Sequence, residues 1–405
     1  MAIVFVGHDW AETHHDIYIE DQEGKRLGRA RLLEGVAGVA QFQAMIADLV
    51  SDPSEVMIAT ETDRGLFMSA LLSAGYAVVA INPMSTARYR ERLSTSGAKS
   101  DPGDAKTLAA VARLDGHNHR LVCPDTNLAD AIKVEARAHQ SLIWTRQRQL
   151  NQLRSVLREF YPAALEAFPE LAHGDCLAVL AVAPTPRQAS KLNVARVAAA
   201  LRRGGRRRGA DARAAEIVAV LRSTQLAAPV VVADAMGSLV TALVAVASEL
   251  TTQINRIERE LEALFDSHDS ARIIRSIPGL GTKLGARLLG EFGDAPDRFA
   301  DAKARRNYAG TSPVTKASGR SHVVLARHAR NLRLADACYQ WAFITITASP
   351  GARAFYDEKR AHGASHSKAL RALSNRLVGI LHGCLTHDTT YDENTAWAHR
   401  QPAAA

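Results

Sequence analysis

Cysteine is scarce: four residues in 405 (Cys123, Cys176, Cys338 and Cys384), far apart and with no C-x-x-C pair. That spacing argues against a disulfide framework or a thiolate zinc site and fits a reduced, cytosolic chain. No cationic leader or small-residue cleavage site accompanies the first apolar run, residues 3–6, and no later run reads as approaching a membrane span. The expectation is therefore a cytoplasmic protein with no membrane partner. No tandem repeat period stands out. What the chain does have is ordinary globular composition, 47% hydrophobic and 23% charged, which excludes global disorder. Its length predicts at least two domains.

The net charge of +8 is unevenly placed. Residues 1–127 carry 12 Lys/Arg against 17 Asp/Glu, and 128–222 carry 16 against 8. Residues 223–269 carry 2 against 7, 270–376 carry 19 against 7, and 377–405 carry 1 against 3. Two segments hold the positive field. A polyanion, DNA or RNA, is the partner this predicts, because bound basic groups release condensed counterions.

Strand-like and helix-like patterns alternate over the first hundred residues. Segments 3–6, 15–20 and 26–31 read as a strand meander. A helix at 36–50, a strand at 56–60, a helix at 66–74, a strand at 77–81 and helices either side of Lys99 follow. Three hairpin-linked strands followed by β-α-β units predict a ribonuclease-H-like mixed sheet. Residues 128–160 read as one long basic helix ended by Pro162. A second begins near Met236, where Leu239, Leu243, Val246, Leu250, Ile254, Ile257, Leu261 and Leu264 recur every three or four residues. That seam wants a partner helix, from the same chain or from another subunit. The basic run 202–208, interrupted by two glycines, reads as a loop.

Four carboxylates fall at element ends. Asp9 follows the first strand, Glu61 follows the strand 56–60, and Asp101 and Asp104 open a helix three residues apart, on one face. In the predicted sheet the first strand and the strand after the first helix are neighbours, which brings Asp9 and Glu61 together. Such a cluster repels itself without cations. Mg²⁺ takes hard oxygen ligands, and paired ions can steady the attacking and leaving oxygens of a phosphoryl transfer. Blander readings exist for each residue: strand-end surface acids for Asp9 and Glu61, with Asp63 a rival for the latter, and capping for Asp101-Pro102-Gly103-Asp104, with Asp101 as N-cap.

Residues 277–289, Ile-Pro-Gly-Leu-Gly-Thr-Lys-Leu-Gly-Ala-Arg-Leu-Leu, fit a hairpin between two helices whose glycines let backbone N–H groups approach a phosphate. Lys283 and Arg287 lie on its second helix. Downstream, 308–313 and 317–320 read as a polar loop before a basic helix containing Arg327, Arg330 and Arg333. A serine among arginines can attack phosphorus while the guanidinium groups, Arg320 included, hold the phosphodiester. Ser312 and Ser318 are the candidates.

Taken in order, Asp9, Glu61, Asp101-Pro102-Gly103-Asp104-Ala105, Ile277-Pro278-Gly279-Leu280-Gly281, Tyr308-Ala309-Gly310 and Ser318-Gly319 resemble the DEDD insertion-sequence transposases related to the Piv DNA invertase. The resemblance spans most of the chain; residues 165–235 carry no matching motif. It implies a RuvC-like nuclease domain at 1–127, a helical, coiled-coil connection at 128–269, a mainly helical transposase domain with helix-hairpin-helix at 270–385, and a tail at 386–405. It further implies Mg²⁺ on Asp9, Glu61, Asp101 and Asp104, and a transient phosphoserine link from Ser318 to DNA. Action as a homo-oligomer, dimer or tetramer, and guidance by a noncoding RNA from the same element are also implied. So is association with the nucleoid when DNA is bound. Arg330-Asn331-Leu332-Arg333 departs from the family pattern, which usually has a glycine before the asparagine, and leaves the role of Asn331 open.

Three other classes compete. A hydrolytic metal nuclease of the junction-resolvase kind would leave Ser318 idle. An actin-like phosphotransferase would need glycine-rich phosphate loops, and the N-terminal segment shows none convincing. A non-enzymatic nucleic-acid scaffold would use the carboxylates only as caps.

Overall fold

The computed structural model describes residues 2–93, 100–296, 298–328 and 330–398. Lys99, between the two helices expected around it, lies outside the described residues, as do the last residues of the tail. The chain divides into two compact units, Met1–Pro124 and Asp125–Ala405.

The first unit opens with strands β1 (Val4–Trp10), β2 (His14–Glu20) and β3 (Arg26–Leu33), an antiparallel meander. Helix α1 (Val36–Ala47) leads to β4 (Val56–Thr60), α2 (Leu66–Ser73) to β5 (Ala77–Ala80), and α3 (Pro83–Leu93) and α4 (Asp101–Asp115) complete it. The strand order is β3-β2-β1-β4-β5, with β4 parallel to both β1 and β5. Side-chain alternation sorts two cores onto the two sheet faces. Val4, Val6, Ile17, Ile19 and Ile58 pack with Phe42, Phe67 and Leu71 from α1 and α2, whereas Phe5, Ala59 and Val79 pack with Leu108 and Val111 from α4. Gly7 is what lets α4 come so near: a Cβ there would stand 1.8 Å from the Ala105 carbonyl oxygen.

In the second unit α5 (Asn127–Phe160) is followed by α6 (Pro162–Ala167), α7 (Gly174–Val182), α8 (Pro186–Ala189), α9 (Val194–Arg203), α10 (Ala210–Leu221) and α11 (Val230–Asp266). Then come α12 (Ala271–Ser276), α13 (Thr282–Phe292), α14 (Ala302–Tyr308), strands β6 (Val314–Ser318) and β7 (Ser321–Leu325), α15 (Leu332–Ala348), α16 (Pro350–Ala361), α17 (His366–Thr386) and α18 (Glu393–Trp397). The partner of the α11 seam lies in the same chain: α5 packs along it. One core gathers Leu150, Leu157, Leu180, Leu201, Ile217 and Val244; the other gathers Ile132, Phe265, Leu288, Trp341, Leu373 and Leu377. Each long helix contributes to both.

Four expectations are corrected. Helix α11 starts at Val230 rather than near Met236. It also has an 18-residue window of mean hydropathy 2.1, so by length and composition one later run does reach the size of a membrane span; 28% of that window is buried. Its Val240, Leu243, Val244 and Ala247 are core residues. The basic run 202–208 is not all loop, because Arg202 and Arg203 end α9 and Arg206 Nε donates to the buried Asp175 carboxylate at 2.7 Å. The stretch after Pro313 is an antiparallel ribbon with Gly319 at φ +54° in its turn, so Arg327 and Arg330 lie in no helix and only Arg333 does.

Candidate active site

Asp9 sits one residue from the end of β1, and the antiparallel register sets Asp16 of β2 directly opposite it, on the sheet face that α4 covers. Glu61 follows the last residue of β4. Asp104, 6% exposed, lies in the first turn of α4; Asp101, its first residue, is exposed. Ser100, not Asp101, is the N-cap, its hydroxyl accepting from Gly103 N at 3.3 Å, which frees Asp101 from capping.

The carboxylates feel one another. The Asp9 carboxyl is pushed up to about 6, first by burial and then by the negative charges of Asp104, Glu61, Asp101 and Asp16. Two arginines offset part of that field. Arg31 holds Asp16 with a fork of 3.1 and 2.8 Å, and Arg90 Nε donates to Asp104 Oδ1 at 2.7 Å. One ligand atom from each of His14, Asp16 and Asp101 falls within 4.8 Å of the others, a grouping that could take a cation. Carboxylate oxygens dominate the donor set, which suits a hard divalent ion, and a like-charge cluster that raises Asp9 is relieved by one.

Asp16, His14, Arg31 and Arg90 escaped the sequence reading. Asp16 could have been found by folding the 9–16 hairpin on paper, since the register that pairs strand ends puts it across from Asp9.

The other face of the same strands holds a buried polar chain. His8 Nδ1 is 2.9 Å from Thr60 Oγ1, His8 Nε2 is 2.8 Å from His15 Nδ1, and His15 Nε2 is 2.7 Å from Glu34 Oε2. With Glu34 ionised, one assignment keeps both rings neutral: His15 Nε2–H donates to Glu34, His8 Nε2–H to His15, and the Thr60 hydroxyl to His8. Phe67 stacks on both imidazoles at 5.3 and 4.1 Å. Burial, and then His15, push the His8 ring down to about 3. Thr60 immediately precedes Glu61, so this chain fixes the backbone from which that carboxylate departs.

In the second unit Ser318 ends β6 and pairs with Ser321 across the turn; both serines and Arg320 are exposed. At 277–289, where a hairpin between two helices is expected, the chain runs from α12 through a turn with Gly279 at φ +82° into α13. Its turn is anchored by Pro278 O, which accepts from Trp341 Nε1 at 3.0 Å and Thr345 Oγ1 at 3.1 Å. Beside it lies a cavity of about 640 Å³ lined in part by Glu258 and Glu262, and Lys283 Nζ is 2.7 Å from Glu258 Oε1. Those carboxylates disfavour a phosphate at this helix start.

The remaining cations divide. Arg287 is 7% exposed and stands 3.9 Å from Asp336, and Arg333 donates to Arg137 O, Gln140 Oε1 and Ser141 Oγ while stacking over Trp144. Both join helices through partners within the second unit. Arg320 and Arg330 stay exposed, and half-buried Arg327 reaches Asn307 at 3.4 Å. Asn331 has a defined place: its Oδ1 caps α15 by accepting from Arg333 N and Leu334 N, and its Nδ2 donates to Glu291 Oε2 at 2.6 Å.

A DEDD-type IS110 transposase family model matches residues 6–162, and an IS116/IS110/IS902 family transposase model matches residues 271–357. The chain is 43% identical to the mini-circle putative transposase for IS117 of Streptomyces coelicolor, covering 99% of this chain and 98% of that one. It is 28% identical to the insertion element IS900 42 kDa protein of Mycobacterium paratuberculosis, over 98% of each. To the insertion element IS110 43.6 kDa protein of Streptomyces coelicolor it is 27% identical, over 96% of this chain and 95% of that one.

Proposed function

The chain belongs to the IS116/IS110/IS902 family of transposases, and from that premise we propose that it cuts and rejoins DNA for an insertion sequence, using a divalent-metal site in its first unit and a serine nucleophile in its second. The observation that carries the first half is the Asp9 carboxyl, raised to about 6 by burial and four surrounding carboxylates. The β3-β2-β1-β4-β5 order supports a RuvC-like, ribonuclease-H-like reading of this unit.

Asp9, Glu61, Asp101 and Asp104 would hold Mg²⁺, with Asp16 and His14 beside them. When bound, the ion supplies charge neutralisation at the non-bridging and leaving oxygens of a phosphodiester. Arg31 and Arg90 limit the net charge of the site and orient Asp16 and Asp104. Ser318 Oγ would attack phosphorus as its proton leaves, the P–O ester bond to one strand end would break and that end would depart as a protonated hydroxyl, leaving the other end as a phosphoserine, with Arg320 two residues on to hold the phosphate; Ser312 is the alternative. The exposed ribbon supports this, since a nucleophile that must reach a bulky duplex cannot be buried. Residues 128–269 would form the connection and 270–385 the transposase domain. The basic segments would hold DNA and a guide RNA, and a homo-oligomer would act in the cytoplasm, on the nucleoid.

The test is to incubate the full chain with its flanking DNA, any RNA transcribed from it and Mg²⁺, and to look for a denaturant-resistant protein–DNA adduct. An adduct lost in Ser318→Ala and kept in Ser312→Ala is expected. Cleavage with no adduct in wild type would replace this reading with hydrolysis by a metal nuclease.

A further inference from the structure

A strongly cationic cavity lies neither at the acidic cluster nor at the α12–α13 turn. It has a volume of about 550 Å³ and sits where α14, β7 and α17 meet; Arg306, Arg327, Lys368, Arg371 and Arg376 line it, and no Asp or Glu does. Among the described residues, Arg306, Arg327, Lys368 and Arg371 form no ion pair, and the half-buried Arg306 Nε has no hydrogen-bond partner. Arg376 is held below its ordinary value by burial and by the charge of Arg306. Arg306, Arg327 and Arg371 are half-buried, converge on one space and form no ion pair among the described residues, an arrangement that an anion relieves.

The cavity is built rather than incidental. Gly379 of α17 leaves the gap into which the Arg306 guanidinium fits, since a Cβ there would fall within 1.8 Å of Nη2. The Arg306 carbonyl accepts from Thr311 N and Ser312 N at 3.1 and 3.4 Å, turning the chain after α14 so that both hydroxyls reach Asn375 Oδ1, at 3.3 and 3.4 Å. Another part of the lining is apolar: Phe355, Ala372, Val324 and Leu325, the last two 55% and 42% exposed. Apolar surface left open beside a phosphate-binding set is what a base needs once it is out of its stack.

We propose that this cavity seats one unpaired nucleotide of a nucleic-acid strand, its phosphate among Arg306, Lys368 and Arg371 and its base against the Phe355–Ala372 wall. A phosphate alone would leave most of 550 Å³ empty, and a duplex would offer no base to the wall. Val324 and Leu325 of β7 line the cavity three and four residues from Ser321, which pairs with Ser318, so on the Ser318 reading the cavity lies about 10–14 Å along the ribbon from that hydroxyl and holds a neighbouring nucleotide rather than the bond to be cut. This rests on the reading that the chain acts on nucleic acid; the seat itself needs neither the metal site nor Ser318, and only its place beside the bond to be cut depends on Ser318.

The experiment is fluorescence anisotropy of the full chain with a labelled single-stranded DNA oligonucleotide, its RNA counterpart and the duplex, over a range of salt. Lys368→Gln/Arg371→Gln is expected to weaken single-strand binding about tenfold and to flatten the salt dependence by about 0.7 for each phosphate that is no longer neutralised. Ala372→Phe, which fills the wall without changing charge, is expected to weaken the single strand about tenfold and the duplex not at all. Arg256→Gln/Arg259→Gln, both exposed on α11, is the charge-matched control, and thermal melts confirm that each variant folds. DNA and RNA strands binding alike would assign the cavity to the shared phosphodiester, and a difference would assign it to the tighter one. Charge variants no weaker than the control, an Ala372→Phe that binds like wild type, or displacement by inorganic phosphate or a mononucleotide as readily as by the strand would each overturn the proposal. Loss of strand exchange in Asp9→Asn with oligonucleotide binding intact would leave it standing.

Discussion

His8 and His15 share a 2.8 Å hydrogen bond on one face of the sheet, while the residues that follow them, Asp9 and Asp16, face each other on the opposite side. One hairpin thus sorts imidazoles to the face of α1 and α2 and carboxylates to the face of α4 by nothing more than strand alternation. Asp9 and His8, neighbours in the chain, are shifted in opposite senses.

Asp9 is a carboxyl pushed up from 3.8 to about 6, so the folded chain holds a proton there that the unfolded chain has lost. The associated stability is present below the lower value and lost as pH rises through the upper. In chelator at about pH 7.5, Asp9→Asn should therefore be more stable than wild type, by about 1 kcal/mol once solvent screening of this half-buried group is allowed for, with no difference near pH 4. Urea denaturation at the two pH values checks it; equal midpoints at the higher pH would refute it.

His8 runs the other way. Its folded value, about 3, lies below the ordinary 6.5, so its contribution is full above 6.5 and falls as the medium becomes more acidic. A single proton gives a slope of about 1.4 kcal/mol per pH unit. Between about pH 6 and 4 the rising Asp9 term partly cancels it. Asp9→Asn should expose a steeper acid loss than wild type, read from stability curves across that window.

Gly7→Ala places a methyl 1.8 Å from the Ala105 carbonyl, a backbone atom that cannot swing aside. The expected cost is about 3 kcal/mol, with α4 displaced from β1 and divalent-ion binding weakened with it. Gly281→Ala, with nothing within 4 Å, is the matched control. Calorimetric ion binding and melting temperature should fall together in the first variant and in neither respect in the second.

Asn331→Ser keeps a cap for α15 but loses the bond to Glu291, whereas Asn331→Asp keeps the cap and sets a second carboxylate against Glu291 Oε2. Although burial pushes Glu291 up, its hydrogen bonds from Arg137 and Asn331 bring it below the ordinary carboxylate range, so it is charged at neutral pH. The aspartate variant should be the less stable of the two by about 1 kcal/mol or more at neutral pH, despite equal capping propensity. An aspartate variant as stable as the serine one would mean that Glu291 is not charged there.

Much of the first unit could be read in advance because its signals are local: alternation in residues 15–20 and 26–31, and apolar runs at 56–60 and 77–81, each set off by turn residues. Asp9, Glu61 and Asp104 stood out by falling at element ends. Asp16 and Arg90 did not, since their meaning comes from strand register and from the packing of α4, which spacing along the chain does not encode. The ribbon β6–β7 was read as a loop because Thr315, Lys316, Ser318 and Ser321 are polar and its strands bury almost nothing. The burial of Arg287 is not legible in the sequence because its neighbour Asp336 is supplied by a helix far along the chain.

That ribbon has a consequence for how the chain behaves alone. Every residue of β7 and all but the first of β6 are exposed, so no packing neighbour fixes the rotamer of Ser318. A hydroxyl free to turn in bulk water lacks the orientation that displacement at phosphorus demands, which must come from a surface closing over it. On the serine reading, a solitary chain that meets DNA leaves it whole. On that same reading, breakage would wait until a second surface comes to rest on the ribbon, a latency written into its lack of neighbours.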